Sequence, residues 1–157
     1  MHTPLIRVIS LTILFISGCQ PAWNRVNQGQ LKKDMRILLE RYGCSGSFRS
    51  VAIIGTTRTG RIEIRITEEE IDKFIKGLNL QSLTNHDSFP ITISKRIAEL
   101  KESIVSDEPE DSDIRLFGVF GRDPSLRVSK YSSFEYLIMA YDNRKKLALI
   151  EVEYAYG

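Results

Sequence analysis

The sequence predicts an α+β domain, an antiparallel sheet of about five strands backed by two or three helices. Three observations lead there. Leu31, Met35, Leu38, Leu39 and Tyr42 recur at helical spacing, Arg61 to Thr67 alternates residue by residue, and the last third of the chain holds three β-rich runs separated by polar turns. The chain has 157 residues, enough for one modest core, and contains no internal repeat and no second domain.

The domain is expected to run from residue 31 to 157. In its first helix Lys32, Lys33, Arg36 and Arg41 avoid the apolar face, and Gly43 suits a C-terminal cap. Ser50 to Gly55 and Arg61 to Thr67 then flank Thr56–Gly60 as a hairpin with one wet face: Ile62, Ile64 and Ile66 point inward, Arg61, Glu63 and Arg65 outward. Thr67 and Glu70 make a capping box, with Ile66 and Ile71 as the hydrophobic staple around it. The helix they start presents Ile71, Phe74, Ile75 and Leu78 to the core, has Glu68 and Glu69 at its positive end, and is expected to end at Gly77. Leu80 to Pro90 reads as a loop. Ile93, Ile97, Leu100 and Ile104 support a further helix with a Lys95–Glu99 pair, while Ile91 to Ile93 also fits a short strand. Asp107 to Asp113, acidic at five positions and interrupted by Pro109, reads as a solvated loop. Of the three final runs, Ile114–Gly121, Phe134–Tyr141 and Leu147–Tyr156, the second is apolar on both faces and belongs at the centre of the sheet. The third is expected to expose Glu151 and Glu153.

Ahead of this domain, Met1–Arg7 carries one fixed positive charge and Val8–Ile16 is a short apolar run, too short to span a bilayer, which needs about 20 apolar residues. Ser17, Gly18, Cys19 and Gln20-Pro21 follow, the anatomy of a signal peptide. Ile16-Ser17-Gly18-Cys19 resembles the lipobox of bacterial lipoproteins. The resemblance covers only this N-terminal part, and it implies a diacylglyceryl thioether on Cys19, cleavage between Gly18 and Cys19, and usually acylation of the new amine. Residues 1–18 are then a removed signal, and 19–30, polar, aperiodic and carrying Pro21 and Gly29, form a lipidated tether. Trp23 within it suits either the lipid interface or packing on the domain. Two or three acyl chains, at about 0.8 kcal/mol per buried methylene, hold a protein firmly on a membrane. The implied location is the cell envelope, with the domain on the extracytoplasmic side.

With 22 Lys+Arg against 20 Asp+Glu, the formal charge of +2 gives no reason to expect nucleic acid as a partner. Cleavage at Cys19 leaves 21 basic and 20 acidic residues, with His86 the only histidine and Cys44 the only unlipidated cysteine. An intrachain disulfide and a metal site rich in His and Cys are thereby excluded, and no cofactor is implied. Gly43-Cys44-Ser45-Gly46 lacks the spacing and the strand-to-helix setting of a nucleophile elbow. Cys44 could act as a thiol nucleophile only with His86 as base and Asp87 or Asp113 orienting it, partners that meet in space rather than in sequence. It could also pair with a second chain in an oxidising envelope. The acidic run offers hard oxygen ligands without the EF-hand spacing. Among Glu63, Glu135, Glu151 and Glu153 a catalytic carboxylate pair would leave no sequence spacing, and strand alternation explains them as well.

No catalytic residue and no metal ligand is assigned. The expected role is that of a non-catalytic binding module for another envelope protein, or for an anionic wall polymer, held to the membrane through lipid on Cys19. The candidate interaction surface comprises Arg61, Glu63 and Arg65 on the wet sheet face, Arg122, Arg127 and Lys130 in the 121–133 loop, and Arg144, Lys145 and Lys146 in the last hairpin. Two competing classes are a thiol- or carboxylate-dependent envelope enzyme using Cys44 and His86, and a structural spacer of membrane or wall.

Overall fold

The computed structural model describes residues 26–55, 58–83, 90–104, 113–121 and 123–155. Helix α1 spans Gln28–Arg41, β1 Ser47–Ile54, β2 Thr59–Arg65, α2 Glu68–Gly77, β3 Gln81–Ser82, α3 Ile91–Ile104, β4 Ile114–Phe120, β5 Phe134–Asp142 and β6 Leu147–Tyr154. The strands form one six-stranded sheet in the order β1-β2-β6-β5-β4-β3, and every neighbouring pair is antiparallel. This is the α+β class predicted, with β5 and β6 at its centre. The additional strand is β3, whose Gln81 and Ser82 pair with Gly118 and Phe117 inside the stretch expected to be loop. Two exposed polar residues carry no alternation to read. Burial of Leu83 at 2% exposure, with its amide donating to the Leu116 carbonyl, draws them against β4.

The helix ends follow local chemistry. Helix α1 starts at Gln28 rather than Leu31, because the Asn27 side chain caps it by accepting from the Gln30 amide at 2.8 Å. At the other end Gly43 takes φ +70, and two amides close a Schellman motif, Gly43 N–H on the Glu40 carbonyl and Cys44 N–H on that of Leu39. The Thr67–Glu70 capping box of α2 is formed in both directions, with Ile66 and Ile71 buried beside it. Helix α3 includes Ile91, so the short-strand alternative for Ile91–Ile93 is set aside, and Ile91 itself is exposed.

The helices cover both faces of the sheet, not one. Leu31, Met35 and Leu38 of α1 and Ile71 and Phe74 of α2 pack against Ile62, Ile64, Met139, Tyr141, Ile150 and Val152. On the opposite face Ile97, Leu100 and Ile104 of α3 pack against Tyr136, Ile138, Ala140 and Leu149. Glu151 faces Ile138 across the ladder and therefore lies on the α3 side. Its predicted exposure is corrected accordingly: Glu151 is 0% exposed, covered by α3, whereas Glu153 stays half-buried. An amphipathic helix announces that one of its faces is covered but not which side of a two-sided sheet will cover it.

Candidate binding cleft

The connection from β4 to β5 is held in place from below. Asp123 accepts from the Ser125 amide at 2.8 Å and so caps a single 3-10 turn, Pro124–Leu126. That hydrogen bonding draws the Asp123 carboxyl below its ordinary range. Leu126 and Val128 are buried in the core, and Arg41 at the end of α1 donates to the Val128 carbonyl at 3.0 Å. The amides of Val128 and Ser129 both donate to the Ser132 carbonyl, at 2.9 and 3.0 Å, and fold 128–132 into a tight turn.

Between this turn and the end of β6 lies a cleft of about 610 Å³, lined among others by Asp123, Arg127, Lys130, Tyr131, Ser132 and Tyr154. Beneath it stands Asp34 of α1, 1% exposed, in a helix face otherwise occupied by Leu31, Met35, Leu38 and Leu39. A buried carboxylate is tolerable only when hydrogen-bonded, and Asp34 is. Oδ1 accepts from Gln30 Nε2 at 2.8 Å, and Oδ2 accepts from the Ser132 and Tyr154 hydroxyls, each at 2.8 Å. Burial, together with the bond to Asp34, pushes the Tyr154 phenol far above its ordinary range, so it remains a donor. With both hydroxyls already on Oδ2, the carboxylate works as a peg that fixes the cleft floor. Sequence reasoning missed Asp34; the available signal was an acid inside an apolar helical stripe, which demands buried donors.

The rim is cationic. Arg127 and Lys130 are exposed, and among the described residues neither makes a salt bridge. Arg127 Nε donates to the Ser129 carbonyl at 3.3 Å, and Lys130 Nζ sits 5.4 Å from the centre of the Tyr131 ring, itself 89% exposed. Two charges beside an open aromatic ring can hold an anionic group and an attached planar or apolar moiety.

The other predicted surface residues lie elsewhere. Arg61 donates to Glu151 at 2.7 Å, joined on the same carboxylate by Arg96 and the Tyr136 hydroxyl, each at 3.0 Å. It belongs to a buried network under α3. Glu63 pairs with Arg49 at 3.4 Å, and Arg65 is exposed at the end of β2. The β5–β6 turn carries Arg144, Lys145 and Lys146, the last two facing Asp142 at 3.8 Å and Glu68 at 3.6 Å. Strand β5, nine residues long, separates that turn from the cleft, so the loop and hairpin cations form two sites, not one patch. Arg122, Cys19, His86, Asp87 and the acidic positions 107–111 lie outside the described residues. Asp113 accepts from Asn143 Nδ2 at 2.9 Å.

Cys44 is 3% exposed, and its Sγ–H points to the Glu70 carbonyl at 3.1 Å. Burial pushes the thiol up, the reverse of what an attacking thiolate needs. No protein-family model, characterised protein or solved structure matches this chain.

Proposed function

We propose that this protein is a lipid-anchored module of the cell envelope that binds an anionic group displayed by another envelope protein, without catalysis of its own. Lipid on Cys19 holds it to the membrane, residues 19–27 ahead of α1 form the tether, shorter by the first helical residues than the sequence suggests, and the cleft beside 123–133 is the binding site. The observation that carries this reading is the contrast within the cleft. Its floor hydroxyls are committed to Asp34, while among the described residues its rim cations Arg127 and Lys130 make no salt bridge, and they outnumber Asp123, the one carboxylate of the lining. A preformed floor lowers the ordering cost of binding, and unpaired cations at a rim steer and orient an acidic partner.

The test is in-cell cross-linking of an affinity-tagged full-length chain, wild type beside Arg127→Glu/Lys130→Glu, with mass spectrometry of what co-purifies. One envelope protein is expected in near-stoichiometric amount with wild type, and reduced roughly tenfold or more by the double charge reversal. Equal recovery with both forms, or no partner with either, overturns the reading.

A further inference from the structure

The sheet has two edges of very different length. Among the described residues β3 ends one side with two residues, whereas β1 ends the other with eight, Ser47–Ile54, and pairs there with β2 alone. Proteins usually blunt a long edge with charge, proline or a bulge. Here a bulge between Phe48 and Ser50 and the charge of Arg49 protect the first part, but Ser50-Val51-Ala52-Ile53-Ile54 carries neither charge nor proline. Among the described residues no other strand pairs with its outward backbone groups.

Beside this edge runs a groove of about 350 Å³ lined by Gln28, Lys32, Phe48, Arg49 and Val51 among others. Two exposed cations of α1 stand over its aromatic wall: Lys32 Nζ is 5.8 Å, and the Arg36 guanidinium carbon 5.5 Å, from the centre of the Phe48 ring. Among the described residues neither has a salt-bridge partner. Open backbone hydrogen bonds, a side-chain groove and an unmatched pair of positive charges converge on one ligand class.

We infer that β1 is a docking edge for an extended acidic segment of a partner protein, which adds as a further strand and sets a carboxylate between Lys32 and Arg36 beside Phe48. Main-chain hydrogen bonds would supply the affinity, and the groove with its two cations the selection of acidic side chains. The groove shares no lining residue with the cleft at 123–133.

The probe is a capped, fluorescently labelled peptide of about eight residues, matching the length of β1, in which Val and Thr alternate with Glu. It is titrated against the full-length chain, followed by anisotropy and by backbone amide exchange. Slowed exchange at Ser50–Ile54 is expected on binding. Lys32→Glu/Arg36→Glu, both on the exposed face of α1, is expected to weaken the Glu peptide about tenfold or more and to favour its Lys counterpart. With the unaltered protein, N-methylation of alternate peptide amides is expected to abolish binding. Equal binding of the N-methylated peptide would mean charge adsorption alone and would overturn the inference. So would unchanged exchange in β1, or pairing of β1 with a second copy of the chain in the absence of peptide.

Discussion

Glu151 is fully enclosed, and Arg61, Arg96 and the Tyr136 hydroxyl make that enclosure possible by surrounding its two oxygens. Burial, with the carboxylate beside it, pushes the Tyr136 phenol well above its ordinary range and keeps it a donor. Breaking such a buried ion pair leaves an uncompensated charge, which costs several kcal/mol. Arg61→Met/Arg96→Met is therefore expected to lower unfolding stability by about 3–5 kcal/mol, read from urea denaturation; a loss below about 1 kcal/mol would mean that water reaches the carboxylate. Glu70 behaves differently with pH. The Ser45 hydroxyl at 2.7 Å and amide at 2.8 Å, with further bonds from Thr67, hold its carboxyl at about 2, below the ordinary 4.5. A folded-state value below the unfolded one stabilises the fold above the unfolded value, and that contribution disappears as pH falls through about 2. Glu70→Gln is expected to cost about 1–2 kcal/mol at pH 6 and progressively less between pH 4.5 and 2, checked by denaturation at each pH. A gap that does not vary with pH would assign the loss to geometry rather than charge.

At the scale of elements, the helix boundaries were the most legible feature, because caps are local chemistry. Thr67 with Glu70 and Gly43 after Tyr42 each name a helix end within a few residues. Gly77 ends α2 as the sequence predicts, but it is not the residue that takes the left-handed conformation. The left-handed residue that closes α2 is Asn79, at φ +53, with its amide on the Lys76 carbonyl and that of Leu80 on the Ile75 carbonyl. Gly77 instead makes room for the Tyr42 ring, against which any Cβ would collide, and that ring meets Phe74 edge to face at 6.2 Å. Alanine would gain roughly 1 kcal/mol in helix propensity, but displacing a packed ring costs about 1–3 kcal/mol. Gly77→Ala is thus expected to lower Tm, and a raised Tm would show that Tyr42 swings aside at little cost. The short strand β3 was illegible because long-range pairing, not its own two residues, creates it.

For the whole molecule, the two-sided covering of the sheet divides its charged residues into structural and available sets. Helix α3 encloses Glu151 and draws in Arg61, while the β4–β5 connection leaves Arg127 and Lys130 facing solvent. The proposed anchor belongs to this scale as well. Cys19→Ser is expected to move the chain from the membrane fraction to the soluble fraction and to remove the acyl mass from the intact protein. Retention in the membrane without acyl mass would leave an uncleaved signal as the anchor.

The sequence by itself determined what depends on near neighbours: the α+β class, the amphipathic helices, the caps, the alternation of β2 and the central place of β5. Each is a matter of spacing along the chain, where geometry within a few residues decides the outcome. Only the tertiary structure decided which side of the sheet each helix covers. With that it decided that Glu151 is buried, that Asp34 pins Ser132 and Tyr154, and that the loop and hairpin cations stand apart. Those outcomes join residues as distant as positions 34 and 154, and no local period records them, because the free energy of burying a polar group depends on donors brought from elsewhere in the chain.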